Sequence, residues 1–145
     1  MILGQYTTTT DAKKRTSLPR KIRSQLGDSL IITKGLESNL ILVPESEWTM
    51  LLEGTDGKPF IQKEVREIQR FLLGNAHQVE LDTKGRFIIP EYLRKYALLK
   101  EEIVFVGIGK FVEIWDNAHW TEYQQLLINN ETIIQSAQKL TDTQS

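Results

Sequence analysis

The sequence predicts an α+β fold, mainly β, laid out as a pseudo-two-fold tandem of two copies with flanking helices. Three observations predict it. Asp11-Ala12-Lys13-Lys14-Arg15-Thr16-Ser17-Leu18-Pro19 aligns with Asp82-Thr83-Lys84-Gly85-Arg86-Phe87-Ile88-Ile89-Pro90, with Asp, Lys, Arg and Pro all matched at one constant offset, Asp11 to Asp82 and Pro19 to Pro90. The match continues downstream: Ile22-Arg23 with Leu93-Arg94, residues 30–32 with 103–106, residues 40–43 with 112–115, and Trp48 with Trp120. Each copy is followed by sequence with helical periodicity.

Taken in order, residues 2–7 and their counterpart 78–81 are β-prone and run into an Asp, whose carboxylate can take a nearby backbone N–H and so favours a turn. In the second copy Gly85 can adopt positive φ, and residues 86–89 resume as strand. Pro19 and Pro90 suit the first turn of a short helix, where no N–H is needed, and Gly27 suits the end of the first such helix. The apolar runs 30–33 and 40–43 predict a β-hairpin. Runs 103–106 and 112–115, turning around Gly107 and Gly109, repeat it.

A shorter helix is expected near residues 45–53, then a loop over 54–59 marked by Asp56-Gly57 and Pro59. Ile61, Val65, Ile68 and Leu72 fall at spacings of four, three and four, one face of a helix that Gly74 would end. Trp120, Tyr123, Leu127, Ile134 and Ala137 predict a C-terminal helix with a break near Asn129-Asn130, and the polar end 141–145 should fray. The organisation is thus repeat one over 1–54, connecting loop and helix over 55–76, repeat two over 77–123, and C-terminal helix and tail over 124–145. A domain of about 60 residues buries only about 60% of its unfolded surface, so the copies should share one core. Hairpins exchanged between the halves would also remove exposed sheet edges.

Composition excludes several function classes. Without cysteine among its 145 residues the chain has no disulfide, thiol nucleophile, iron-sulfur cluster or cysteine-ligated zinc. No apolar run approaches the roughly 20 residues that cross a bilayer, and residues 1–6 are too short and uncharged for a signal peptide. A cytoplasmic protein without membrane contact is expected. Charge is unevenly spread: the net is −1, yet residues 11–23 carry six basic side chains against Asp11 alone, a local +5, and residues 82–95 sum to +2. The remainder is therefore an acidic body bearing two basic stretches.

The opening Met1-Ile2-Leu3-Gly4-Gln5-Tyr6, the doubled Asp-x-Lys-x-Arg-x-x-x-Pro and the late Glu113-Ile114-Trp115-Asp116 together resemble the MraZ family of bacterial transcriptional regulators, over residues 1 to about 127. The resemblance implies two SpoVT-AbrB-type domains of swapped-hairpin β-barrel fold and assembly into a ring-like homo-oligomer. It implies binding, in the nucleoid, to direct repeats in double-stranded promoter DNA upstream of the division and cell-wall gene cluster, as a repressor of its own operon. It also carries DNA binding onto Arg15 and Arg86, with Lys13, Lys14 and Lys84 beside them.

The chemistry of the motif agrees. An Arg just after a tight turn can project its forked guanidinium for bidentate contact with guanine or phosphate, and the turn lysines suit phosphate neutralisation. Asp11 and Asp82 would repel DNA as contacts, so they are expected to brace the turn or hold the Arg. Gly85, Pro19 and Pro90 support the motif. Arg20, Lys21, Arg23, Arg94 and Lys95 have two readings, as DNA contacts or as solvated and ion-paired groups. Trp48 and Trp120 are expected to be structural. Lys14 departs from the family pattern, standing where the second copy has Gly85; positive φ there would cost on the order of 1 kcal/mol.

An enzyme is the rival class. His77 and His119 have no acidic or nucleophilic neighbour at a recognisable spacing, Gly107-Ile108-Gly109 lacks the third glycine of a dinucleotide fingerprint and reads as a hairpin turn, and Asn130-Glu131-Thr132 is a sequon without a secretion signal. No catalytic residue, metal or cofactor is expected. An AbrB-type antitoxin-like dimer or an oligomeric interaction scaffold is the other alternative, and the tandem duplication argues against a simple antitoxin.

Overall fold

The computed structural model describes residues 1–53, 57–129 and 131–142. Residues 54–56 of the loop expected over 54–59, the sequon's Asn130 and the tail residues 143–145 lie outside them. In chain order the elements are β1 (Ile2–Thr9), β2 (Arg15–Ser17), α1 (Arg20–Leu26), β3 (Leu30–Lys34), β4 (Leu40–Pro44), a 3-10 helix (Glu45–Leu52), α2 (Lys63–Leu73), β5 (His77–Val79), β6 (Arg86–Ile88), α3 (Glu91–Tyr96), β7 (Glu102–Gly109), β8 (Val112–Asp116), α4 (Asn117–Ile128) and α5 (Glu131–Asp142). The fold is α+β, dominated by antiparallel strands.

Both hairpins form, and each copy's first strand leaves its own hairpin for the other's. β1 pairs with β7 of the second copy, and β5 pairs with β3 of the first. The exchange obeys the repeat: Thr8 faces Ile103, and its counterpart Val79 faces Leu30. Two further pairings join the copies about a pseudo-dyad. In β2–β6 Thr16 faces Phe87, and in β4–β8 Ile41 faces Glu113, so each is paired with its own counterpart in the other copy.

The hydrogen-bonded order β1-β7-β8-β4-β3-β5 makes a six-stranded sheet that is not closed into a barrel. The expected barrel is corrected for a local reason: the strands that follow the Asp turns, β2 and β6, leave the main sheet and pair with each other as a separate ribbon. Gly107 permits the β1–β7 pairing, because a Cβ there would lie 2.7 Å from the Ile2 carbonyl oxygen.

One core serves both copies, as marginal half-domains require. Ile22, Leu30, Ile32, Leu40 and Leu42 from the first pack with Phe87, Leu93, Ile103, Phe105, Val112 and Ile114 from the second. Pro19 and Pro90 stand at the N-caps rather than inside the first turn, each carbonyl accepting the N–H groups three and four residues on. Gly27 ends α1 at φ 82. Gly74 caps α2, but the predicted apolar face is only half used: Val65 and Leu72 are buried, while Ile61 precedes the helix and Ile68 faces solvent. The C-terminal helix breaks as expected, between α4 and α5.

The outer face of β7–β8 is covered by α4 through Trp115, Trp120 and Val104, and Trp120 Nε1 donates to Gln5 Oε1 at 3.0 Å. Trp120 is buried, whereas Trp48 on the 3-10 helix is only half-buried. Glu113 lies on this face, accepting Trp115 Nε1 at 3.1 Å. Burial pushes its carboxyl above the usual range, with nearby Glu37 adding to the shift and the Trp115 hydrogen bond opposing it. A raised folded-state value means the native protein holds this proton longer than the unfolded chain does. Stability from Glu113 is then full at acid pH and is lost as pH rises from the ordinary carboxylate range through the raised value. Glu113→Gln should remove that decline and raise the melting temperature at pH 8 by roughly 2–4 °C, the equivalent of about 1 kcal/mol in a chain this size. Parallel thermal melts of the two proteins from pH 4 to pH 8 measure it, and curves with the same slope would assign the decline to other groups.

Candidate nucleic-acid interface

The Asp-Lys-Arg motif folds the same way in both copies. Asp11 Oδ1 accepts the backbone N–H groups of Lys13 and Arg15, both at 2.9 Å, and its Oδ2 accepts Arg15 Nε at 2.7 Å. Asp82 Oδ1 accepts the N–H groups of Lys84 and Arg86, both at 2.9 Å, and its Oδ2 accepts Arg86 Nε at 2.8 Å. The Lys14 and Gly85 N–H groups close the turns on the Asp11 and Asp82 carbonyls at 2.9 and 3.0 Å. A short carboxylate suits the position because it can reach the backbone two and four residues on while its own carbonyl closes the turn.

The same carboxylate aims the guanidinium. Nε is engaged, and neither Arg15 nor Arg86 has an Nη group hydrogen-bonded to any described residue, so the end-on fork is left for a ligand. The Arg15 backbone N–H, then its guanidinium and the Lys13 N–H, hold the Asp11 carboxyl below its ordinary range against a smaller opposing effect of burial; Asp82 is lowered in the same way by Arg86 and Lys84. The two aspartates thus brace and orient. Their carboxylates stay ionised and keep the turn closed at neutral pH, and this contribution is lost as pH falls through their lowered values.

Asp82→Asn should separate bracing from charge. An amide oxygen can still accept the turn N–H groups, but the amide nitrogen cannot accept Arg86 Nε. If this face binds DNA, freeing the side chain should weaken the complex about 2- to 10-fold, the cost of ordering one side chain on binding. Removing a negative charge alone would tighten it, so a tighter complex in an anisotropy titration would reject the bracing role.

Lys14 takes the left-handed conformation, φ 61, beside φ 76 at Gly85, and the turn hydrogen bonds keep their lengths. The two arginines therefore present alike despite the lysine. The surroundings of the two turn residues differ. Gly85 is buried under Arg23, whose Nη1 would lie 2.8 Å from a Cβ, and its carbonyl accepts Leu18 N–H at 2.9 Å. Lys14 runs into solvent, with Glu91 at 3.6 Å in an exposed ion pair that adds little stability.

The ribbon brings the two motifs together. Arg15 faces Ile88, Thr16 faces Phe87 and Ser17 faces Arg86. Thr16 and Phe87 point into the core, so alternation puts Arg15, Ser17, Arg86 and Ile88 on the opposite face, with Lys13, Lys14 and Lys84 exposed at the flanking turns. Sequence reasoning found every cation here but neither Ile88 nor the pairing of the two motifs, which joins segments that belong to different copies. Of the ambiguous basic residues, Arg23 binds Asp28 at 3.0 Å and Arg94 donates to the Lys100 carbonyl at 3.2 Å, whereas Arg20, Lys21 and Lys95 are exposed.

His77 packs against Tyr92 and His119 against Trp115. Among the described residues no group of three or more His, Asp and Glu is arranged to hold a metal, and no helix is long and apolar enough to cross a membrane.

Residues 1–71 and 72–143 each match the family model described as "MraZ protein, putative antitoxin-like". The chain is 36% identical over 140 residues to the transcriptional regulator MraZ of Clostridium tetani, an alignment covering 97% of this chain and 99% of that protein. It is 40% identical over 123 residues to the transcriptional regulator MraZ of Alkaliphilus oremlandii, covering 85% and 86%. The protein of the same name from Leuconostoc mesenteroides is 39% identical over 123 residues, covering 85% of this chain and 86% of that protein. These relatives are named as regulators, not enzymes.

Proposed function

The chain belongs to the MraZ family of transcriptional regulators, and we propose that it binds promoter DNA sequence-specifically through the β2–β6 ribbon and its two flanking turns. The observation that carries this reading is the pair of Asp-clamped arginines, one from each copy, brought onto one exposed ribbon face with their Nη forks open. A two-stranded β-ribbon fits the major groove, where a guanidinium fork can engage guanine O6 and N7, while Lys13, Lys14 and Lys84 neutralise phosphates. The strand exchange between copies supports reading the units as swapped-hairpin SpoVT-AbrB-type domains.

By the same family reading, the protein is a nucleoid-associated cytoplasmic repressor. Its sites are direct repeats upstream of a division and cell-wall gene cluster that includes its own gene, and it acts as a ring-like homo-oligomer. Exposed Leu126, Ile128, Ile133 and Ile134 on α4 and α5 support assembly, because apolar surface of that kind favours contact with another copy. The test is an anisotropy titration, at one stated salt concentration, of the DNA upstream of the protein's own gene against a scrambled duplex of equal length. Preference for the upstream DNA is expected, and equal affinity would reduce the basic ribbon to non-specific attraction.

A further inference from the structure

We propose that Ile88 is a base-reading residue that recognises a thymine C5-methyl group and, because its counterpart is Ser17, gives the ribbon a direction on the DNA. The inference rests on the promoter-binding reading above. The pseudo-dyad passes through the Thr16–Phe87 pair, so the outward face consists of two related pairs, Arg15–Ile88 and Arg86–Ser17. The arginines are equivalent in clamp and turn geometry. A two-fold reader of this kind would see a site the same from either end, just as two-fold symmetric dimers read palindromes. On the outward face of the ribbon itself, Ile88 against Ser17 is what breaks the symmetry.

The placement of Ile88 suits this role. It is 63% exposed at the end of β6, directly opposite Arg15, and it lines one open cleft with both arginines, Gln78, Glu80 and Asp82. Two residues along a strand span about 6.6 Å, close to two base-pair steps of about 3.4 Å, so the two pairs can lie over base pairs two steps apart. A β-branched side chain is stiff at χ1 and offers methyl groups of nearly constant position, suited to the one apolar group that a base edge presents in the major groove. The serine hydroxyl can donate or accept and discriminates less. The alternative role, a cross-strand prop for the Arg15 stem, would leave binding indifferent to a methyl group on the DNA.

The experiment replaces each thymine of the bound promoter segment in turn with uracil, which differs only by lacking the C5-methyl, and measures affinity for wild type, Ile88→Ser and Ser17→Ile. One position is expected at which uracil weakens wild type about 4-fold, the effect of losing one buried methyl, and leaves Ile88→Ser unchanged. Ser17→Ile should acquire sensitivity at a second thymine. If wild type still prefers its promoter to scrambled DNA but no uracil position distinguishes it from Ile88→Ser, the role of Ile88 is overturned and promoter reading stands. If wild type shows no preference for its promoter, both fall. Should a variant fold poorly, a wild-type series without any sensitive thymine would still overturn the role of Ile88, and Ile88→Thr, which keeps the β-branch with one methyl fewer, replaces Ile88→Ser in the comparison.

Discussion

Replacing Arg15 and Arg86 together with alanine will weaken promoter binding by about 30- to 10⁴-fold, taking about 1–3 kcal/mol for each guanidinium that makes a bidentate base contact. The fold should survive. Each guanidinium is on the surface and paired with an Asp that stays accessible to water, so each substitution should cost less than about 1 kcal/mol of stability. Single substitutions should have similar effects on binding, because the two clamps match, with Nε to Oδ2 distances of 2.7 Å in the first copy and 2.8 Å in the second. Lysine at both positions is the sharper comparison. It keeps the charge but not the fork, so affinity for scrambled DNA should be nearly retained while preference for the promoter is lost. Binding and melting temperature falling in proportion would instead make the arginines structural.

What was legible in the sequence follows the range of the interactions involved. The Asp-Lys-Arg turn is local, its hydrogen bonds running from Asp11 only as far as Lys13 and Arg15, so residue types and spacing were enough to locate it. The hairpins were legible because apolar runs bracketed short connections. The ribbon was not, since Arg15–Ser17 and Arg86–Ile88 are short strands whose pairing is set by the shared core beneath Thr16 and Phe87. The same pairing left the main sheet open where a closed barrel had been expected. Helix α2 shows the limit of periodicity: its spacing marks a face, but of the helix only Val65 and Leu72 are buried, the latter where Thr33 Oγ1 of β3 donates to the Leu72 carbonyl at 2.6 Å. Ile88 read as one more strand residue because its exposure depends on a partner strand in the other copy.

The other large effect should come from spacing on the DNA rather than from any one contact. A single ribbon offers two arginine forks and a few lysines without an inserted recognition helix, so one site should bind modestly and lose affinity steeply as salt rises. In an oligomer of the kind proposed above, a second ribbon meets a second repeat at the effective concentration set by the rigid assembly, and avidity can exceed single-site affinity by roughly 10² to 10⁴. That gain requires both ribbons to face the same groove path. Inserting about 5 base pairs, half a helical turn, rotates one repeat to the far side of the duplex and should remove most of it. Three duplexes titrated at one salt concentration test the idea: one repeat, several repeats in phase, and the same repeats out of phase. Tight binding only to the in-phase duplex is expected. The same ordering should disappear in a variant with Ile133 and Ile134 both changed to Ser, if the exposed apolar face of α5 helps hold copies together, with light scattering reporting a smaller assembly. Equal affinity for all three duplexes would mean that the ribbons bind independently, and the oligomer would then have no part in reading repeated sites.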